Sequence, residues 1–149
     1  MSERLPFGID PGLIGNEFDS STSEAVTAQE IHDYAESLGE THPAFFATEP
    51  IAPPTFCVKF RGNRFFHPGL PHEALVRGFD AGKDIQFGAP IRAGDVISTR
   101  NVLHELYEKT GRTGSMVFIV TRQTMTNQRG EMVAVIDNRF MLRPKGKKD

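Results

Sequence analysis

A carboxylate and an imidazole stand two residues apart in the stretch Leu38-Gly39-Glu40-Thr41-His42-Pro43-Ala44-Phe45-Phe46. Held within hydrogen-bond reach of one substrate, Glu40 and His42 would form a general acid/base pair. Two features of the spacing oppose that pairing. Residues two apart in a turn need not point into one cleft, and Pro43 biases His42 toward extended backbone. The alternative for His42 is a surface or capping role, and for Glu40 a solvated carboxylate at a helix end, where the macrodipole mildly disfavours it. The other histidines, His32, His67, His72 and His104, show no spacing to a second His, Cys or carboxylate that would hold a metal, and no cofactor is implied. The lone Cys57 excludes an intrachain disulfide or a cysteine-rich zinc site, fits a reducing compartment and reads as core.

These residues need elements to place them. Thr27 and Glu30 spell a capping box, and Ile31, Tyr34, Ala35 and Leu38 recur at helical spacing, which predicts a helix from Ala28 to Leu38 closed by Gly39. Pro53 and Pro54 are suited to entering a second, more buried helix through Phe60, with Thr55 as its cap or first-turn polar residue. An exposed start to that helix would offer amides to a carbonyl oxygen. Phe45, Phe46, Phe56 and Phe60 either wall a channel or fill the core. From Gly62 to Gly82 the prolines, glycines and scattered aromatics suggest a long connection that covers something.

Beyond Lys83 the pattern changes to strands: Lys83 to Phe87, Val96 to Glu108, Ser115 to Thr126 and Glu131 to Leu142, separated by turn residues. In the third, the first half is apolar on both faces and is expected to be covered on both, with the Arg122 end in water. Helices followed by an antiparallel meander make an α+β chain, and a sheet wrapped on one apolar helix is the simplest way to bury both.

At 149 residues the chain fits one domain with a sizeable core. Residues 1–19 read as an extended arm, 20–144 as the domain and 145–149 as a basic tail. Seventeen Lys plus Arg against nineteen Asp plus Glu leave a net charge near −2, without the concentrated basic field that nucleic acid or a membrane surface demands. No apolar run is long enough to span a bilayer and the first residues lack a signal-type core, so a cytoplasmic location is expected.

Four local words point further: Tyr34 to Phe46, Ala52-Pro53-Pro54-Thr55-Phe56, Pro90-Ile91-Arg92-Ala93-Gly94-Asp95, and Thr126-Asn127-Gln128-Arg129-Gly130-Glu131. Together, from about Gly15 to Pro144, they resemble the N-terminal, fatty-acid-synthase-type dehydratase domain of MaoC-like hot-dog proteins, and most nearly the non-catalytic subunits of (3R)-hydroxyacyl-thioester dehydratases. The resemblance implies an antiparallel sheet wrapped around a central helix. It also implies an acyl-CoA or acyl-carrier-protein thioester as ligand, and as partner a homologous catalytic hot-dog chain or a second copy. The family's hydratase signature reads Gly-Asp-x-Asn-Pro-x-His. Here Gly39 and Pro43 are kept, Glu40 replaces the aspartate, His42 the asparagine, and Phe45 the catalytic histidine. A phenyl ring cannot carry a proton, so no catalytic residue is expected in this chain, with Glu40 and His42 as the fallback. Phe45, Phe46, Thr55, Phe56 and Phe60 are the expected substrate-binding residues.

Overall fold

The Thr27-x-x-Glu30 signal becomes α1 (Ala28–Ser37) in the computed structural model, which describes residues 4–112 and 114–143. The Glu30 amide donates to Thr27 Oγ1 at 3.1 Å, while the Glu30 carboxylate turns away to Lys59 Nζ at 3.3 Å. Ile31 and Ala35 form the buried stripe. The helix closes as a Schellman motif: Gly39 takes φ +73°, its N–H donates to Glu36 O, and the Glu40 N–H reaches back to Ala35 O, both at 3.0 Å.

Residues 54–59 are helical, but as a 3-10 helix (Pro54–Lys59) rather than an α-helix. Three residues per turn stack side chains at i and i+3 into eclipsed rows. Pro54 and Cys57 therefore face one way, Thr55 and Val58 another, and Phe56 sits above Lys59. Phe56 and Cys57 are buried.

Five strands form one antiparallel sheet: β1 (Glu17–Thr22), β2 (Phe79–Phe87), β3 (Ser98–Gly111), β4 (Gly114–Thr126) and β5 (Met132–Leu142), ordered β1-β3-β4-β5-β2. The concave face of this sheet packs against α1 and the 3-10 helix, giving the α+β hot-dog fold. The last residues of the N-terminal segment, Glu17–Asp19, open β1, and Ile9 upstream is buried against the sheet. β2 starts at Phe79, four residues ahead of the expected Lys83, because a bulge between Asp80 and Gly82 carries the pairing with β5 past the glycine. Within the long connection lies one short helix, α2 (His72–Leu75). The tail at 145–149 lies outside the described residues.

The expected division of β4 into a covered half and a wet half is replaced by a division between faces. Val117, Ile119, Thr121, Gln123 and Met125 are all buried on the concave side, because α1 and the 3-10 helix cover the Met125 end while Ile9, Leu70 and Ala74 from the N-terminal segment and the long connection cover the Val117 end. On the convex side, long side chains laminate the surface. Tyr107 stacks on Phe118 at 4.9 Å, Lys109 lies over both rings, and Arg122 grips Asp137 through two hydrogen bonds of 2.8 Å. That clamp holds the Asp137 carboxyl below its ordinary range.

A polar band crosses the middle of the concave face and splits the core into two apolar clusters, one around Ile31, Phe56, Cys57, Ile97 and Met125, the other around Ile9, Leu103, Val117, Ile119 and Leu142. From the β2 edge, Lys83 Nζ donates to Asn138 Oδ1 (2.7 Å), Asn138 Nδ2 to Gln123 Oε1 (3.0 Å), and Gln123 Nε2 to Arg61 O (2.9 Å). Asn101 Nδ2 donates to Arg61 O, Arg64 O and Asp19 Oδ2. Burial alone would raise the Asp19 carboxyl, but amide hydrogen bonds from Arg64 and Asn63 and the Asn101 side chain bring it below its usual range. Gly62 lets the chain pass this close: a Cβ there would lie 2.6 Å from Asp19 Oδ2 and 2.7 Å from Asn101 Nδ2.

Candidate active site

Two turns distant in sequence are locked together at one end of the sheet. Asp95, 2% exposed, accepts the Arg92 amide on one oxygen (2.9 Å) and Gln128 Nε2 (2.9 Å) and Arg129 Nη1 (3.2 Å) on the other. The Arg-Ala-Gly-Asp word and the Asn-Gln-Arg-Gly-Glu word are thus two halves of one device. From it, the 91–92 segment extends to pair with 51–52: the Ala52 N–H donates to Ile91 O at 2.8 Å, and Ile51 bridges Arg92. Ile51 N–H in turn donates to Ala44 O at 3.1 Å, which draws the residues after α1 over the same end.

These segments enclose a cavity of about 370 Å³ beside the end of β2, walled by Phe45, Ile51, Pro53, Pro54, Cys57, Phe87, Ile91 and Val133, with His42 and Ala44 at its rim. The β2–β5 ladder continues past Phe87, with the Gly88 and Ala89 amides donating to Val133 O and Met132 O at 2.9 Å. Gly88 has no alternative here, because a Cβ would stand 2.2 Å from Met132 O.

The wall is nearly devoid of groups that titrate. Its titratable side chains are His42 and Cys57. Burial pushes the Cys57 thiol up, away from the thiolate form. His42 caps the 3-10 turn Pro43–Phe45, its Nδ1 accepting the Ala44 amide at 3.1 Å, which leaves Nε2 as the nitrogen able to face the cavity. Glu40 is exposed and does not line it, since its backbone is committed to closing α1. No hydrogen bond joins Glu40 to His42 among the described residues.

Of the aromatic residues singled out in the sequence, Phe45 lines the cavity, its ring 5.6 Å from that of His42. Phe46 points outward and stacks on His32 at 6.2 Å. The eclipsed rows of the 3-10 helix place Pro54 and Cys57 on the cavity and turn Thr55 into a neighbouring groove, where Tyr34 and Thr55 share a 2.7 Å hydrogen bond. Phe56 packs edge-on against Tyr34 and Phe60 in the core. Because Pro53 and Pro54 have no N–H, Thr55 is the first residue of this helix able to offer an amide. His67 packs on Phe18, and burial lowers its pKa.

Sequence reasoning missed the cavity wall formed by Phe87, Ile91 and Val133, and the polar band. The second had a signal. Gln123 shares strand parity with Val117, Ile119 and Met125, and a polar residue on a core face needs partners.

The arrangement matches known proteins over most of its length. The model of the FAS1-like, dehydratase domain region matches residues 12–136. A UPF0336 protein of Streptomyces griseus is 24% identical over 150 residues, covering 91% of this chain and 95% of that one. Among solved structures, the MaoC-like dehydratase of Rhodospirillum rubrum superposes with a TM-score of 0.63 at 23% identity, over 89% of this chain and 94% of that one. The HadBC complex of Mycobacterium tuberculosis, a (3R)-hydroxyacyl-ACP dehydratase, gives 0.63 at 22% identity, over 87% and 96%. With its sheet order, its cavity beside β2 and a family match spanning the helices and strands alike, the chain belongs to the FAS1-like dehydratase-domain family.

Proposed function

We propose that this chain is the non-catalytic half of a hot-dog hydratase or dehydratase, binding part of an acyl thioester while a homologous catalytic chain moves the protons. The observation that carries this reading is the occupant of the motif position. Phe45 stands in the cavity wall where the hydratase pattern requires an imidazole. Adding water to an enoyl thioester, or removing it from the hydroxyacyl form, needs a base, an acid and donors for a carbonyl gaining enolate character. Around this cavity stand one rim imidazole and one buried thiol, while Pro53 and Pro54 contribute no amides. The wall is suited to hold a fatty segment.

The partner reading draws on the free edge. β2 is a terminal strand whose outer N–H and C=O groups face away from β5, and such edges invite another strand. Residues 87–90 form both the end of that edge and one side of the cavity, so a chain paired there would close the site. A catalytic partner would bring the missing aspartate and histidine. HadBC offers a precedent for a dehydratase of this fold that works as a complex. A cytoplasmic setting fits this role.

Mixing the purified chain with homologous chains that carry an intact Asp-x-Asn-Pro-x-His, and following loss of enoyl absorbance, tests the proposal. Activity should appear only in the mixture. Turnover of crotonyl-CoA or a longer enoyl-CoA by this chain alone, abolished by Glu40→Ala or His42→Ala, would overturn it in favour of a self-sufficient homodimer. Saturable acyl binding with no turnover beside any partner would instead make it an acyl-thioester binding protein.

A further inference from the structure

The cavity beside β2 has an open end and a closed one. His42, Pro54, Phe87, Gly88 and Pro90 stand exposed around its mouth, whereas Ala52, Cys57, Ile91 and Val133, each at most 6% exposed, make its floor. Behind that floor the first apolar cluster continues through Ile31, Phe56, Ile97 and Met125, all buried, so the hollow ends there. One row of the 3-10 helix runs its depth, with Pro54 at the mouth and Cys57 at the bottom. The floor has no polar group to spare. The Ala52 amide is taken by Ile91 O, while Cys57 O and Val133 O accept the Phe60 and Gly88 amides, which leaves a thiol that burial keeps protonated.

We propose that the cavity is a blind pocket in which the acyl tail ends against Cys57 and Val133, so that this chain selects unsubstituted tails of medium length. The inference rests on the acyl-thioester reading above and adds to it a substrate class and the residues that gauge it. A methylene at interior packing density takes roughly 30 Å³, so a cavity of about 370 Å³ admits about twelve heavy atoms, or a tail of about ten carbons with its thioester carbonyl at the mouth. Each methylene up to that limit leaves water for apolar surface and strengthens binding roughly fourfold. The next one either stays outside or presses the floor into Ile31 and Phe56, and overpacking a filled core costs more than it gains. A hydroxyl or carboxylate at the tip of the tail would be buried without a partner, which the pocket penalises.

The test is a binding series with the full chain and saturated acyl-CoAs from butanoyl to octadecanoyl. It is repeated with Cys57→Ala, with Val133→Ala and with Val58→Ala, whose side chain belongs to the row of the same helix that faces the neighbouring groove, with a thermal melt of each. Wild-type affinity should climb about fourfold per methylene to about ten carbons and then level off. Cys57→Ala should carry the climb about one methylene further and Val133→Ala about two, while Val58→Ala keeps the wild-type break. The ω-carboxyl counterpart of decanoyl-CoA should bind about tenfold more weakly than decanoyl-CoA itself, or worse. Decanoyl-CoA carrying a diazirine at the tip of its tail should crosslink to Ala52, Cys57, Ile91 or Val133. A climb that never levels, the same break in wild type and both floor variants, or a tip that crosslinks to surface residues would overturn the gauge and leave the acyl reading standing. No saturable binding to wild type at any length would overturn the acyl reading and the gauge together.

Discussion

The cavity beside β2 and the band across the sheet are built from opposite materials, although both belong to the concave side of one sheet. The cavity wall is aromatic and aliphatic, with His42 at its rim and Cys57 in its floor. The band holds Lys83, Asn138, Gln123, Asn101 and Asp19 in one hydrogen-bonded line, its three amide side chains buried, Asp19 pinned by backbone amides, and Lys83 exposed at its β2 end. In a working hydratase the ionisable groups belong where substrate binds. Here Asp19, with the neutral Asn101 and Gln123, holds the backbone of residues 61–64 against the sheet, and the cavity wall is left almost wholly apolar. The polar contacts and the apolar cavity thereby occupy separate parts of one concave face, a division that suits the proposed role of a subunit shaping a site for a catalytic partner.

Substitutions in the two regions should therefore fail in different ways. The largest effect is expected at Gly62, where φ is +81° and any Cβ strikes Asp19 and Asn101. Gly62→Ala should lose about 3 kcal/mol in urea unfolding, with no new substrate preference. Asn138→Ala leaves Gln123 Oε1 and Lys83 without their partner and should cost about 2 kcal/mol. A cost as small as that of a surface change would show that the band is not a structural spine. Phe45→Ala is expected to lower stability by only about 1 kcal/mol, because the ring is half-buried, yet to weaken acyl binding at every length. If it leaves binding untouched, the cavity is not the acyl site.

Strong acid should weaken the band. The folded Asp19 carboxyl titrates below its ordinary range, so the stability it contributes is complete above about pH 4 and fades as the pH falls through the folded value. Asp19→Asn should flatten that part of the stability profile. The smallest effect belongs to His42→Ala, which removes one cap on a single 3-10 turn and should cost about 0.5 kcal/mol while leaving any activity of the mixed complex intact.

Much of this was legible in the sequence. The cap at Thr27, the closure at Gly39 and the three long strands all follow from residue types at fixed offsets, and local rules suffice for them. The type of the helix at 54–59 was not legible, because two prolines start either kind of helix. That distinction decides which row of side chains meets the cavity, so Thr55 turns into the neighbouring groove while Cys57, buried in the core as expected, also lines the cavity. β1 was hidden for a different reason. Glu-Phe-Asp-Ser-Ser-Thr has no apolar alternation, since one of its side chains, Asp19, serves the band rather than the core. The cavity wall from Phe87 to Ile91 is made by pairing between segments far apart in the chain, which no local pattern announces.

The carboxylate of Asp95 gives the surface turn at Asn127–Glu131 a remote influence. It fastens that turn to the Arg92 amide, and the neighbouring residues carry the roof strip at 51–52. Exchanging Gln128 or Arg129, neither of which touches the hollow, would slacken its ceiling, so relatives of this chain have a lever for retuning ligand size that leaves every lining residue unchanged.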